Sequence, residues 1–372
     1  MDKNAVIREM WDKPLKEVVA KTGLSMDAVK SRRLRMKKGG IPTNDHLSPD
    51  VLYKFLKGVK RVVSVEELSN KFECPVREIR KCVEILSKEG KNIMVEGGSV
   101  ELAQTIPQTK PSLIDTSKFK AQHYKFGLTS DNHLGSKYQR MDVLNALFDI
   151  WAREGVKTVY QCGNMIDGEA RFNKFDIFVY GLQNQVDYFV ENWPKREGIT
   201  TKFITGDDHE GWYIQREGIN IGKLIEMTAQ EKGRKDLVFL GHMEHDITLK
   251  AKNGVATMRL IHAGGGSAYA TSYAPQKIVE SYQGGEKPNI LLVGHYHKAE
   301  YGYPREVHVV QAGCTEDQTP FMRKLKIQAH VGGWTIEFDQ DDKGIIHHFK
   351  VECHPFSDLG YYDKSWKYRW HK

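Results

Sequence analysis

Cysteine is sparse and unpaired in this 372-residue chain: Cys74, Cys82, Cys162, Cys314 and Cys353 are odd in number and widely scattered. Without a C-x-x-C pair they signal neither a disulfide framework nor a cysteine-ligated zinc module, and a reducing, cytoplasmic setting fits them best. Also missing are an apolar run of membrane-spanning length and the apolar stretch of a signal peptide, so no membrane partner is expected. What remains is ordinary for globular protein, with 40% hydrophobic and 28% charged residues, and a length that suits two or three domains. The net charge of +7 favours a polyanionic partner, and much of it is local.

The N-terminal hundred residues carry that charge on two helical patterns. Leu15 to Lys38 reads as helix, turn and helix, with Val18, Val19 and Ala20 facing inward, Gly23 turning and Ser25 capping. Ala28, Val29 and Leu34 continue an apolar stripe on the second helix, which also carries Lys30, Arg32, Arg33, Arg35, Lys37 and Lys38. The stretch VVAKTGLSMDAVKSRRLRM resembles the DNA-binding helix-turn-helix over its whole length. Six cations in nine residues are either a solvated face near a helix C-terminus or a set of phosphate contacts, and the second reading is preferred.

The pattern recurs in winged-helix form over 41–104. VEELSNKF and CPVREIRKCVEILSKEG read as two helices, and NIMVEGGSVELA as a hairpin about Gly97-Gly98. Leu68, Phe72, Val76, Ile79, Val83 and Leu86 form the expected core, leaving Arg77, Arg80 and Lys81 outside as further DNA contacts. Winged helices also bind proteins, so that alternative stays open. The division expected is a helix-turn-helix over 1–40, a winged helix over 41–104, a linker over 105–120, a large domain over 121–355 and an aromatic, basic tail over 356–372.

In the large domain, apolar strands alternate with amphipathic helices and end in polar residues, as in α/β sheets that hold ligands at their strands' carboxyl ends. HYKFGLTSD leads into Asp131-Asn132-His133, VKTVYQCGN into Asn164 and Asp167, and TKFITGDD into Asp208 and His209. His262 follows in LIHAGGG, and PNILLVGHYH ends in His295 and His297. Carboxylate, amide and imidazole together suit borderline ions such as Mn²⁺, Fe or Zn²⁺, with Mn²⁺ preferred.

Over about 121–350, the order D-x-H, G-N-x-x-D, D-H-E, H and G-H-x-H resembles the calcineurin-like metallophosphoesterase superfamily. The resemblance implies a two-sheet α/β sandwich flanked by helices and a pair of divalent metal ions. It implies Asp131, His133 and His297 as ligands of one ion, and Asp208, His262 and His295 as ligands of the other, with Asn164 at the bridging position. It further implies His209 as the acid that protonates the leaving oxygen and Asp167 as the carboxylate that orients it. Two ions would neutralise a phosphodiester and supply hydroxide near neutral pH for in-line attack on phosphorus.

This chain departs from the superfamily pattern reciprocally: the usual bridging aspartate is Asn164, and the usual asparagine is Asp208. The exchange preserves one carboxylate and one amide, with Asp208 expected to supply the charge. Together with the N-terminal patterns, these motifs point to a metal-dependent nuclease or DNA-end phosphoesterase. The alternatives are a DNA-binding regulatory or packaging protein with an inactive phosphoesterase fold, or a phosphomonoesterase or protein phosphatase localised to DNA. A homo-oligomer or a further protein partner is left open.

The exchange generates a test by metal stoichiometry. Asp208→Asn leaves two amides between two dications, so the second ion should be lost or greatly weakened. Asn164→Asp combined with Asp208→Asn should restore metal binding and part of the activity. Two ions and wild-type turnover in Asp208→Asn would make the exchange incidental.

Overall fold

The chain divides into two compact units, Met1–Glu89 with Ile93–Leu102, and Gly90–Asn92 with Ala103–Lys372. A computed structural model describes residues 3–37, 47–59, 62–72, 74–96, 98–102, 109–266 and 268–356. Among these residues no helix is long and apolar enough to cross a membrane.

The first unit opens with helices α1 (Lys3–Glu9), α2 (Leu15–Thr22) and α3 (Met26–Lys37). They meet around Ile7, Val18 and Val29. Helix α1 was no part of the sequence pattern. Ser25 Oγ accepts from the Ala28 amide at 3.3 Å at the start of α3, satisfying one otherwise unpaired donor. Leu34, expected on the buried stripe, is 58% exposed. Five residues beyond Val29 it has rotated off that face, which Arg32 and Arg33 occupy instead at the i+3 and i+4 positions.

Further along come α4 (Pro49–Val59), β1 (Val63–Ser64), α5 (Val65–Phe72), α6 (Val76–Lys88), β2 (Ile93–Glu96) and β3 (Ser99–Leu102). The strands form an antiparallel sheet in the order β1-β3-β2. Leu68, Ile79, Val83 and Leu86 are buried with Leu52, Leu56 and Val100, and Phe72 and Val76 pack partly buried against them.

The second unit holds β4 (Ser112–Asp115), β5 (His123–Thr129), α7 (Met141–Arg153), β6 (Thr158–Cys162), α8 (Leu182–Asn192) and β7 (Thr200–Thr205). It continues with α9 (Trp212–Glu217), α10 (Ile221–Glu231), β8 (Leu237–His242), β9 (Glu244–Lys250), β10 (Val255–His262) and α11 (Tyr273–Ser281). It ends with β11 (Ile290–Gly294), β12 (Ala299–Gly302), β13 (His308–Ala312), α12 (Pro320–Leu325), β14 (Gly332–Gln340) and β15 (Ile346–Pro355).

Two six-stranded sheets result, ordered β12-β13-β11-β10-β9-β4 and β15-β14-β5-β6-β7-β8. Strands β5 to β8 run parallel, as do β10, β11 and β13. Side chains alternate across each sheet. Phe126, Leu128, Tyr160 and Cys162 meet Met258, Leu260, Ile290 and Leu292 between the sheets. Outward-facing Val159 and Phe203 pack with α7, α8 and α10, while Leu291 and Val293 pack with α11. This is the two-sheet α/β sandwich flanked by helices that the sequence implies.

One boundary differs. Residues 112–115, read as linker, form β4, which runs parallel to β9 and buries Ile114. The short S-L-I-D run lies close behind two prolines that dominate a sequence reading, yet it completes a sheet edge. Residues 103–108 and the tail from 357 onward lie outside the described residues.

Trp151 on α7 is fully buried and donates its indole N–H to the Trp334 carbonyl at 3.2 Å. Its ring lies against Gly127 of β5, where an added Cβ would stand 2.6 Å from Trp151 Cε2. Gly127→Ala should therefore lower stability by about 1–3 kcal/mol, read as a shift in denaturant midpoint. An unchanged midpoint would mean the indole moves aside freely.

Candidate metal centre

The segments that follow β5, β6, β7, β10, β11 and β13 border one cavity of about 450 Å³. The residues just past β5, β6, β7 and β11 leave regular extended structure abruptly. Asp131, His133, Asn164, His209, His295 and His297 all have positive φ, from 44° to 89°. Left-handed backbone costs roughly 1–2 kcal/mol for most side chains, so these conformations persist because their surroundings impose them. Glu210 is one such support. Fully buried, it accepts from the amides of Gly206 (2.9 Å), Asn164 (2.9 Å) and Met165 (2.8 Å), tying the ends of β6 and β7 together. Gly206 is required at that junction, because a Cβ there would lie 2.6 Å from His262 Cδ2 and 2.7 Å from Asn164 Oδ1.

Two clusters form. In the first, His133 Nε2 and His297 Nε2 lie 3.9 Å and 3.5 Å from Asp131 Oδ1. In the second, His262 Nε2 lies 3.3 Å from Asp208 Oδ1 and His295 Nδ1 lies 3.4 Å from Asp208 Oδ2. Each is compact enough to converge on one ion. Asn164 stands beside the first, its Nδ2 donating to Asp131 Oδ1 at 3.4 Å.

His133 and His295 are arranged as metal ligands are, with one ring nitrogen fixed and the other free, whereas His262 is held at both nitrogens and His297 Nδ1 has no partner. His133 Nδ1 donates to Asp167 Oδ1 at 2.9 Å, and His262 Nδ1 donates to the Cys162 carbonyl at 2.7 Å. His295 Nε2 donates to the Gly265 carbonyl at 2.7 Å. Meanwhile His133 Nε2, His295 Nδ1 and Asn164 Oδ1 are buried without a hydrogen-bond partner. Orphaned buried polar atoms are rare in folded proteins. Their convergence with two carboxylates fits divalent cations in both clusters.

Asp167 links the first cluster to His209. Its Oδ1 receives His133 and stands 3.1 Å from His209 Nδ1, while Asn173 Nδ2 holds Oδ2 at 3.0 Å. Burial alone would lower the His209 pKa, but the Asp167 hydrogen bond and the charges of Asp167, Asp208 and Glu316 push it up to about 10. Asp167 opposes its own burial through hydrogen bonds from His133 and His209, and stays well below the usual carboxylate range.

Glu316, just past β13, had no signal in the sequence. It is buried, with Oε2 at 3.8 Å from His133 Nε2 and Ser136 Oγ donating to Oε1 at 2.8 Å. Burial, aided by the charge of Asp167, pushes its pKa up to about 7. Glu210 lies inside a recognised motif, but its role as a hub for backbone amides follows from tertiary structure alone.

The basic residues of the first unit divide. Arg77, Arg80 and Lys81 are exposed on α6. Lys30 is exposed and 3.7 Å from Asp27. Arg32 instead donates to Asn4 Oδ1 at 2.9 Å, and Arg33 to the carbonyls of Met10 and Lys13 at 2.6 and 2.8 Å. These two fasten α3 to the chain around α1. Arg35 and Lys37 fall within α3, but their side chains are not among the described groups, and Lys38 lies outside the described residues.

No family model matches the chain, and no curated protein does. Among solved structures it is similar to an archaeal phosphodiesterase, at 12% identity over 62% of this chain and 99% of that one, with a TM-score of 0.32. It is also similar to vacuolar protein sorting 29 from Cryptosporidium parvum, at 14% identity over 63% and 98%, TM-score 0.31. A third is a 5'-nucleotidase precursor from Thermus thermophilus, at 12% identity over 63% and 55%, TM-score 0.31. Likeness at this level assigns no activity or substrate to this chain.

Because His209 reaches Asp167 and belongs to neither three-ligand cluster around Asp131 or Asp208, His209→Ala should leave metal content near wild type. Turnover should fall about 10²–10⁴-fold, the usual contribution of a positioned acid. A loss under about threefold in a steady-state phosphodiester assay would remove His209 from the chemistry.

Proposed function

We propose that the chain is a metal-dependent phosphoesterase acting on DNA, a nuclease or DNA-end phosphoesterase that uses two divalent ions, Mn²⁺ by preference. The observation that carries this reading is the pair of carboxylate and imidazole clusters on one cavity, with buried ligand atoms left unpartnered. Asp131, His133 and His297 would hold one ion, and Asp208, His262 and His295 the other, with Asn164 Oδ1 available as a neutral ligand. Such ions would supply neutralisation of phosphate charge and an activated water.

The chain's own groups do the rest. Asp167 keeps His133 in the tautomer that leaves Nε2 free, and it holds His209 protonated. His209 gives its proton to the departing oxygen, so that no alkoxide is expelled. DNA as substrate follows from the helical patterns of the first unit, read as a helix-turn-helix and a winged helix, with the exposed cations of α6 as phosphate contacts.

Purified full-length chain loaded with Mn²⁺ should hydrolyse linear, circular or single-stranded DNA, and lose that activity on chelation. Metal-loaded chain inert on every phosphoester would instead favour a DNA-binding protein with an inactive phosphoesterase fold. Replacing Arg77, Arg80 and Lys81 by alanine should weaken DNA binding and flatten the log–log salt dependence by up to about 2.7, at roughly 0.9 per phosphate contact. An unchanged slope would detach α6 from the nucleic acid.

A further inference from the structure

One wall of the metal-centre cavity is apolar and aromatic rather than polar. Phe172 presents its edge to the His209 ring at 5.3 Å between centroids, with the ring planes perpendicular. Behind it stand Phe321 at 6.0 Å and Trp212 at 6.1 Å. Leu325 completes the cavity's apolar lining on α12. These rings are not core residues: Phe172 is 46% and Phe321 52% exposed. The segments that carry them interleave rings with exposed cations, as Arg171-Phe172-Asn173-Lys174-Phe175 and Phe321-Met322-Arg323-Lys324.

Exposed rings beside a reactive centre mark a binding surface. Their position identifies what binds. His209 faces the oxygen that leaves, so whatever is attached to that oxygen comes to lie against Phe172. In a nucleic acid this is a sugar and its base. The base offers a flat π face to a ring, while the flanking phosphates meet the cations. A base buried within a duplex has no free face to offer. The cavity volume lies within the range that holds a ligand of nucleotide size.

We propose that Phe172, Phe321 and Trp212 form a stacking subsite for an unpaired base on the leaving-group side of the scissile phosphate. The preferred substrate class is then a single strand, or a frayed or overhanging end, rather than an intact duplex. This rests on the phosphoesterase reading and adds the strand state to it.

The test is equilibrium binding of the metal-loaded chain to a fluorescent oligothymidylate and to an abasic oligomer of the same length, both built with hydrolysis-resistant linkages. Both carry the same backbone charge, so contacts to phosphate cancel in the ratio. The expected preference for the base-bearing strand is roughly 5- to 150-fold, the range for base–aromatic stacking. Phe172→Ala with Phe321→Ala should bring the ratio close to one with metal content unchanged, and Phe172→Trp should retain it. A ratio near one in the wild type, or a full preference surviving in the double variant, would overturn the subsite. Tighter binding of a phosphotyrosine peptide than of the oligothymidylate would also overturn it and assign the wall to a protein ligand. If neither DNA nor a small phosphodiester is hydrolysed while the ratio behaves as expected, the base-stacking wall stands, and the phosphoesterase reading falls together with the leaving-group assignment.

Discussion

Glu210 accepts from three backbone amides at 2.8–2.9 Å, two at the end of β6 and one at the end of β7. A buried carboxylate must find partners or be neutralised, and here the partners are main-chain groups that no regular ladder can satisfy. That reciprocal need fixes the turn holding Asn164 and the turn leading to Asp208. The rest of the cavity is assembled on these turns. If Glu210 could not accept, four buried N–H groups, that of Ile166 included, would lose their carboxylate partner at once, and the strand ends would lose their common anchor.

On this frame, negative charge is placed sparingly. Asp131 and Asp208 each stand between two histidines, and Asp167 stands between His133 and His209. Each carboxylate has imidazoles as near neighbours, and His133, His209, His262 and His295 are each oriented by a carboxylate or a carbonyl. A mutual arrangement of this kind resists single changes, because removing one group both frees a neighbour to rotate and strands a buried charge. Glu316 adds a further acidic group behind His133, one whose burial pushes it toward the neutral form.

Strand ends bearing Asp and His were legible because the polar residues follow directly on apolar, β-branched runs, although their positive φ shows that strand alternation does not aim them. The α/β alternation was legible because β-branched runs recur at the spacing of strand-plus-helix units, while the division into two sheets was implied only by the motif resemblance. Other features could not be read this way. Glu316 follows a strand but repeats no spacing, and its place beside His133 depends on β13 lying next to β11 in the sheet. Arg32 and Arg33 looked like a basic surface because charge alone was counted; their i+3 and i+4 relation to Val29 turns them onto α1. The strand at 112–115 escaped because an isolated edge strand needs only four residues once β9 supplies the ladder. Charge, burial and sheet order each override a local pattern when a distant segment provides the partner.

The left-handed backbone at Asn164 limits which ligands that position can carry. With φ at 54°, position 164 admits asparagine, aspartate or glycine at little strain, and resists branched or bulky residues. Position 208, with φ at −94°, has no such restriction. Sequence drift at 164 is therefore confined to a corridor in which the accessible ligands are an amide and a carboxylate of the same shape. Passing between them alters charge while sparing the backbone. A compensating change at 208 meets no conformational barrier. Exchanging an amide and a carboxylate between these two positions would therefore shift charge across the cavity without rebuilding either turn.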